Sequence, residues 1–237
     1  MLKLFAIITM FIDHFAVAFL NPESTEFLLC RCLGRVSMPI FAYMLASGYI
    51  HTRNYNKYLM RMLIMAIAAQ VPFSMLAFPT YLTFENLFTM QGLQVLFFNL
   101  NIGFTFCIAL IFLKMLDIRN RNYNTSKGYV VVQFIVGLIL LNYSFMCDYG
   151  PYCIFIVFIF FLWQLAFKNN KYAPYVCTGL IFIFTLVFYH WSLIQWLAPL
   201  AIIPIMYIPH TRYKYDKWIF YVFYPLHLLI LVLFMQF

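Results

Sequence analysis

The sequence predicts an all-α polytopic integral membrane protein of about nine transmembrane helices, with a cytoplasmic N-terminus and an external C-terminus. Three observations carry that prediction. Of 237 residues, 65% are apolar and only 9% are charged, and mean hydropathy is +0.88; a soluble domain carries roughly a quarter charged residues. The apolar residues fall into runs of membrane length, so nine spans of about 20 residues leave short loops and no room for a soluble catalytic or nucleic-acid-binding domain. The basic residues, finally, occupy alternate gaps between the runs. Residues 1–237 therefore read as a single transmembrane domain.

The expected spans are 2–20, 28–50, 58–78, 93–116, 129–146, 152–167, 174–190, 193–208 and 218–236. Each should be a helix, because a lone strand in lipid leaves its backbone unpaired. The first, with Lys3 at its start, has a signal-peptide look, but Asp13-His14 interrupts its apolar core and eight more spans follow, so it reads as a retained helix. The second carries Arg35 and Pro39, and the fourth a polar i,i+4 face of Asn101 and Thr105. The third, fifth, sixth and ninth start at Tyr58, Tyr129, Tyr152 and Trp218, and Trp191 follows the seventh; these rings suit an interfacial belt. The ninth holds Tyr224-Pro225 and His227.

The net charge of +8 would make a soluble protein a nucleic-acid suspect, but its placement here speaks of topology. Lys3, then Arg53, Lys57 and Arg61, then Lys114, Arg119, Arg121 and Lys127, then Lys168 and Lys171, then Arg212, Lys214 and Lys217 occupy one set of gaps: thirteen of the fifteen Lys and Arg. The other gaps hold Glu23, Glu26, Glu85 and Asp148. The positive-inside rule makes the basic side cytoplasmic. Six cysteines fit no metal spacing and read as small apolar residues, although Cys147 and Cys153 could join in an external disulfide. The histidines form no metal-ligand pattern, and H-E-x-x-H, G-x-S-x-G, P-loop and dinucleotide motifs are all missing.

Ionisable groups at bilayer depth are costly, which makes each a functional candidate. Asp13 and His14 lie ~15 Å along the first span, and Arg35 enters from the other side to a depth of ~10 Å; the two sets can meet. Adjacent helical residues point about 100° apart, so Asp13 and His14 should take separate roles. His227, ~14 Å into its span, is a second mid-membrane histidine, and imidazoles suit proton transfer near neutrality. An Asp13-Arg35 ion pair that only fixes packing is the plainer alternative. His51-Thr52-Arg53 and His210-Thr211-Arg212 repeat a tripeptide in two basic loops, each just before a span, and together would suit an anion clamp.

The runs Lys3 to His14, Leu33-Gly34-Arg35 through Pro39 to Tyr43, Gly48 to Arg53 with Lys57-Tyr58 and Arg61, and Gln70-Val71-Pro72-Phe73 resemble the TraX family. Asn101 to Thr105, Asp148-Tyr149-Gly150 and Tyr224 to Leu228 agree in order. The resemblance implies a multi-spanning acetyltransferase of the bacterial cytoplasmic (inner) membrane, since the family's named member acetylates the N-terminus of conjugative pilin. It is also similar in plan to the wider transmembrane acyltransferases, which take acyl-CoA from the cytoplasm.

The resulting expectation is N- or O-acetyl transfer from acetyl-CoA to an exported peptide, protein or glycan. His14 would be the base or a covalent acetyl carrier, Asp13 would orient it or pair with Arg35, and Arg35 would stabilise the oxyanion. His51, Arg53, Lys57 and Arg61, with His210 and Arg212, would bind the CoA phosphates. Asn101, Asp148, Tyr149 and His227 would form the acceptor side, with no metal and no nucleic acid. From other classes come a proton-coupled transporter using Asp13, Arg35 and His227, and a non-enzymatic assembly factor.

Overall fold

The computed structural model describes residues 1–117, 127–209 and 216–235. Their secondary structure is helical: α1 (Leu2–Phe19), α2 (Thr25–Gly34), α3 (Ser37–His51), α4 (Tyr55–Ala77), α5 (Met90–Phe98), α6 (Ile102–Leu116), α7 (Lys127–Tyr143), α8 (Gly150–Ala166), α9 (Ala173–Tyr189), α10 (Ile202–Tyr207) and α11 (Asp216–Met235). Ser144–Met146 and Leu193–Ala201 wind more tightly as 3-10 helix. Among the described residues there is no strand, only an isolated bridge between Leu100 and Cys147.

Every expected apolar run reappears as helix, but five segments are long and apolar enough to cross a membrane: Leu2–Phe19, Thr25–His51, Tyr55–Ala77, Gly128–Met146 and Trp218–Met235. Ile102–Leu116, Gly150–Ala166, Ala173–Tyr189 and Leu193–Tyr207 are shorter. At ~1.5 Å per residue a 17-residue helix falls short of a ~30 Å hydrocarbon core.

The interruptions within the apolar runs have local causes. Pro39 has no N–H to offer the Arg35 carbonyl, and the second run breaks there into α2 and α3, with the Ser37 hydroxyl donating to the Gly34 carbonyl at 2.8 Å. The fourth run breaks at Asn99–Leu100: the Asn101 side chain accepts from Gly103 N and caps α6. Pro199 lies inside the 3-10 start of the eighth.

α1 shows how a helix of this kind divides its faces. Leu4, Ile8, Phe11, Phe15 and Phe19, spaced three and four apart, are exposed as a lipid-facing stripe, while Ala6, Thr9, Met10, Asp13 and Ala16 are buried. α1 packs on α2 and α3, α3 on α8, and α4 on α6 and α11. The rings of Tyr152, Tyr224, Phe106 and Phe160 fill the centre. α7 is the outlier, with Gly128–Met146 exposed along nearly all of its length.

Candidate functional site

Helix ends away from the basic α3–α4 turn surround a cavity of about 490 Å³. Its polar lining is Asp13 and His14 from α1, Arg31 and Arg35 from α2 and its C-cap, Asn99, Asp148, Tyr149 and Tyr189; Val17, Phe73, Leu76, Phe78 and Phe145 give it apolar walls. Five of the residues that sequence reasoning singled out, Asp13, His14, Arg35, Asp148 and Tyr149, thus come together in one place.

Asp13 is clamped by two guanidinium groups. Arg35 Nη2 donates to both carboxylate oxygens at 2.8 and 2.9 Å, and Arg31 Nη1 to Oδ2 at 2.6 Å. Arg35 is further fixed by Nε–H to the Arg31 carbonyl (3.2 Å) and Nη1–H to Gln195 Oε1 (3.0 Å). Gly34 makes the clamp possible: a Cβ there would overlap the Asp13 side chain. Arg31 escaped the sequence reading, although it and Arg35 are the two of fifteen Lys and Arg outside the basic gaps and sit one helical turn apart.

His14 turns away from the clamp. Its Nδ1 lies 2.8 Å from Nε2 of His227, whose own Nδ1 is 2.8 Å from the Phe223 carbonyl. His227 was expected on the acceptor side; it lies behind His14 instead and does not line the cavity. Asn101, given the same role, is fully buried against α4, donating to the Ala66 carbonyl (2.7 Å) and to Gln70 Oε1 (2.8 Å). An amide that caps a helix and bridges to its neighbour has no free group for a substrate.

Loops 99–101 and 147–149 hold the far wall. Gln70 Nε2 donates to the carbonyls of Leu96 and Asn99, both at 2.9 Å. Leu100 N donates to Met146 O (2.8 Å) and Asp148 N to Leu100 O (2.7 Å), and the Thr105 hydroxyl caps the Asp148 carbonyl at 2.7 Å. These bonds over-determine a strained corner: Tyr149, at φ 59°, is left-handed, as is Gly150 at φ 48°. Burial pushes the Asp148 carboxyl in this loop up to about 6, and nearby Arg35 draws it partly back. α3, α6 and α8 all start beside the cavity, so their positive dipole ends add to the two guanidinium groups. Cys147, Cys153 and the other four cysteines are free thiols, so the possible Cys147–Cys153 disulfide is not formed.

The basic residues of the α3–α4 turn are elsewhere. His51, Arg53 and Lys57 are exposed at the α3–α4 turn, and Arg61 lies 5.9 Å from the ring centroids of Tyr58 and Tyr221. The cavity and this turn lie at opposite ends of α3, ~22 Å apart along its 15 residues. His210 and Arg212 lie outside the described residues. No group of three or more His, Cys, Asp or Glu able to hold a metal ion occurs among the described residues.

Among the described residues, long apolar helices around a polar, arginine-rich cavity define an all-helical membrane protein. The chain belongs to the TraX family, whose model, described as TraX protein, matches residues 1–235. It is also 32% identical over 152 residues to the probable fimbrial assembly protein FimC, serogroup H1, of Dichelobacter nodosus. That match covers 64% of this chain and 56% of the relative, so the chain spans little more than half the relative's length. No solved structure matches.

Proposed function

We propose that this protein is a nine-span acetyltransferase of the bacterial cytoplasmic membrane, taking acetyl groups from acetyl-CoA on its basic face and delivering them to an exported acceptor at the cavity. Family membership and a relative named for fimbrial assembly support a pilus-related peptide or protein as that acceptor, by its amine or a hydroxyl. A surface glycan is the other acceptor of this kind. The observation that carries the reading is the shared cavity of His14 and Arg35, at the end of α3 away from the basic α3–α4 turn.

The chemistry follows from the side chains. The acceptor nitrogen or oxygen attacks the thioester carbonyl carbon while His14 takes its proton. Arg35, with the helix N-termini, stabilises the oxyanion of the tetrahedral intermediate. The C–S bond then breaks, and the proton held on His14 passes to the departing CoA thiolate. Asp13 holds the guanidinium groups in place, and Asp148 and Tyr149 face the acceptor. His51, Arg53, Lys57 and Arg61, with His210 and Arg212, take the CoA phosphates, so the pantetheine arm must extend along the bundle toward the cavity.

The test is transfer of labelled acetyl from acetyl-CoA to membrane and surface material in membranes carrying the protein. His14→Ala should abolish labelling while the protein stays folded; unimpaired labelling removes His14 from the mechanism. A second reading, a carrier, draws on the helix breaks at Arg35–Val36 and Asn99–Leu100 that border the cavity, since broken helices frame many transport sites. It predicts solute movement in vesicles without any acyl donor.

A further inference from the structure

We infer that His227 is a positioning residue that acts through His14, fixing the one tautomer in which His14 Nε2 is free to take a proton. The inference rests on the reading of His14 as the base, and it follows from counting protons. A neutral imidazole has one N–H and one lone pair. The Phe223 carbonyl can only accept, so at 2.8 Å from it the proton of His227 sits on Nδ1. His227 Nε2 therefore carries a lone pair, and at 2.8 Å it must be met by a proton on His14 Nδ1. That leaves His14 Nε2 bare.

The same bond serves the other half of the cycle. Once Nε2 has gained a proton, Nδ1–H still donates to His227, so the imidazolium forms without any ring moving. The ring planes are parallel to within 15°, and the 5.1 Å between centroids with 2.8 Å between the facing nitrogens sets the rings edge to edge, as an in-plane N–H···N bond requires. His227 itself cannot swing: it is 3% exposed, and the Phe223 ring stacks on it at 4.7 Å and 9°. Asp13, next to His14 in sequence, points toward α2, where arginine holds both its oxygens, and not toward His14 Nδ1. Third groups that orient a base are a recurring device of acid–base sites; here the third group is a histidine 213 residues away in the chain.

The experiment is ring-nitrogen NMR of ¹⁵N-histidine-labelled protein, with the His14 signals assigned by their loss in His14→Gln. It is read beside CoA release from acetyl-CoA in membranes carrying the protein. In the unsubstituted protein His14 should show N–H at Nδ1 and a bare Nε2. His227→Gln, whose amide oxygen can accept in place of Nε2, should keep that tautomer and most of the turnover. His227→Phe, which fills the space but accepts nothing, should release His14 to a tautomer mixture and lower kcat by about tenfold or more with KM unchanged.

Protonation of His14 at Nε2 in the unsubstituted protein overturns the inference, and needs no variant to fold. So does a His227→Phe protein that keeps both tautomer and kcat. The base role is decided separately by His14→Ala in the transfer assay, so the two ideas can fail independently.

Discussion

Asp13 and His14 are consecutive in sequence and have nothing in common as partners. One faces α2 and meets two guanidinium groups; the other faces α11 and meets an imidazole. The ~100° step between neighbours on a helix does this, and it was legible beforehand. The partners were less so: Arg35 could be matched by depth, but Arg31 and the His14–His227 pairing depend on how α1, α2 and α11 pack. The plainer reading of the ion pair, that it fixes geometry, describes Asp13 well. Asp13→Ala would leave Arg35, buried, and Arg31, largely so, without a counter-charge, and breaking a buried pair from one side costs about 3–5 kcal/mol. Thermal denaturation in detergent should place Asp13→Ala well below the unsubstituted protein and His14→Ala close to it. Equal melting of the two variants would deny Asp13 its clamping role.

At the scale of elements, the cavity is a product of interrupted helices. Hydropathy alone draws a continuous second and fourth span, because an average over about 20 residues cannot see a one-residue break. The breaks were written in single residues, Pro39 and Asn101, of which only Pro39 was readable as a kink. The bridge from Leu100 to Cys147 and Asp148 joins loops 47 residues apart, and no local pattern announces it. Gly34 belongs to this scale too, since it sets how near α2 comes to α1. In Gly34→Ala the added methyl must push Asp13 or the whole helix away, at about 1–3 kcal/mol for overpacking. A melt of Gly34→Ala should show that loss, with transfer activity falling alongside; a variant as stable and active as its parent would mean the two helices have slack that the close contact denies.

At the scale of the whole molecule, among the described residues, the basic α3–α4 turn and the arginine-clamped cavity lie at opposite ends of α3. The basic α3–α4 turn was legible from the clustering of His51, Arg53, Lys57 and Arg61 between two apolar runs. The cavity's position was legible from depth, given that Asp13 and Arg35 enter from opposite sides. The lengths of α6, α8 and α9 were not, since hydropathy reports what is apolar and not how far it reaches. That arrangement suits the proposed group transfer, in which CoA phosphates would bind at one end of α3 and the acceptor at the other. The measurement that reaches this claim most directly is the thermal stability of the purified protein titrated with acetyl-CoA. Arg53→Ala, Arg212→Ala and Asp148→Ala are run beside it. A ligand at a hundred times its Kd stabilises by about 2.7 kcal/mol, so the account predicts a saturable rise in Tm, weakened by either arginine substitution and kept in Asp148→Ala. No rise at millimolar acetyl-CoA, in protein shown to be folded, would contradict it and favour the carrier.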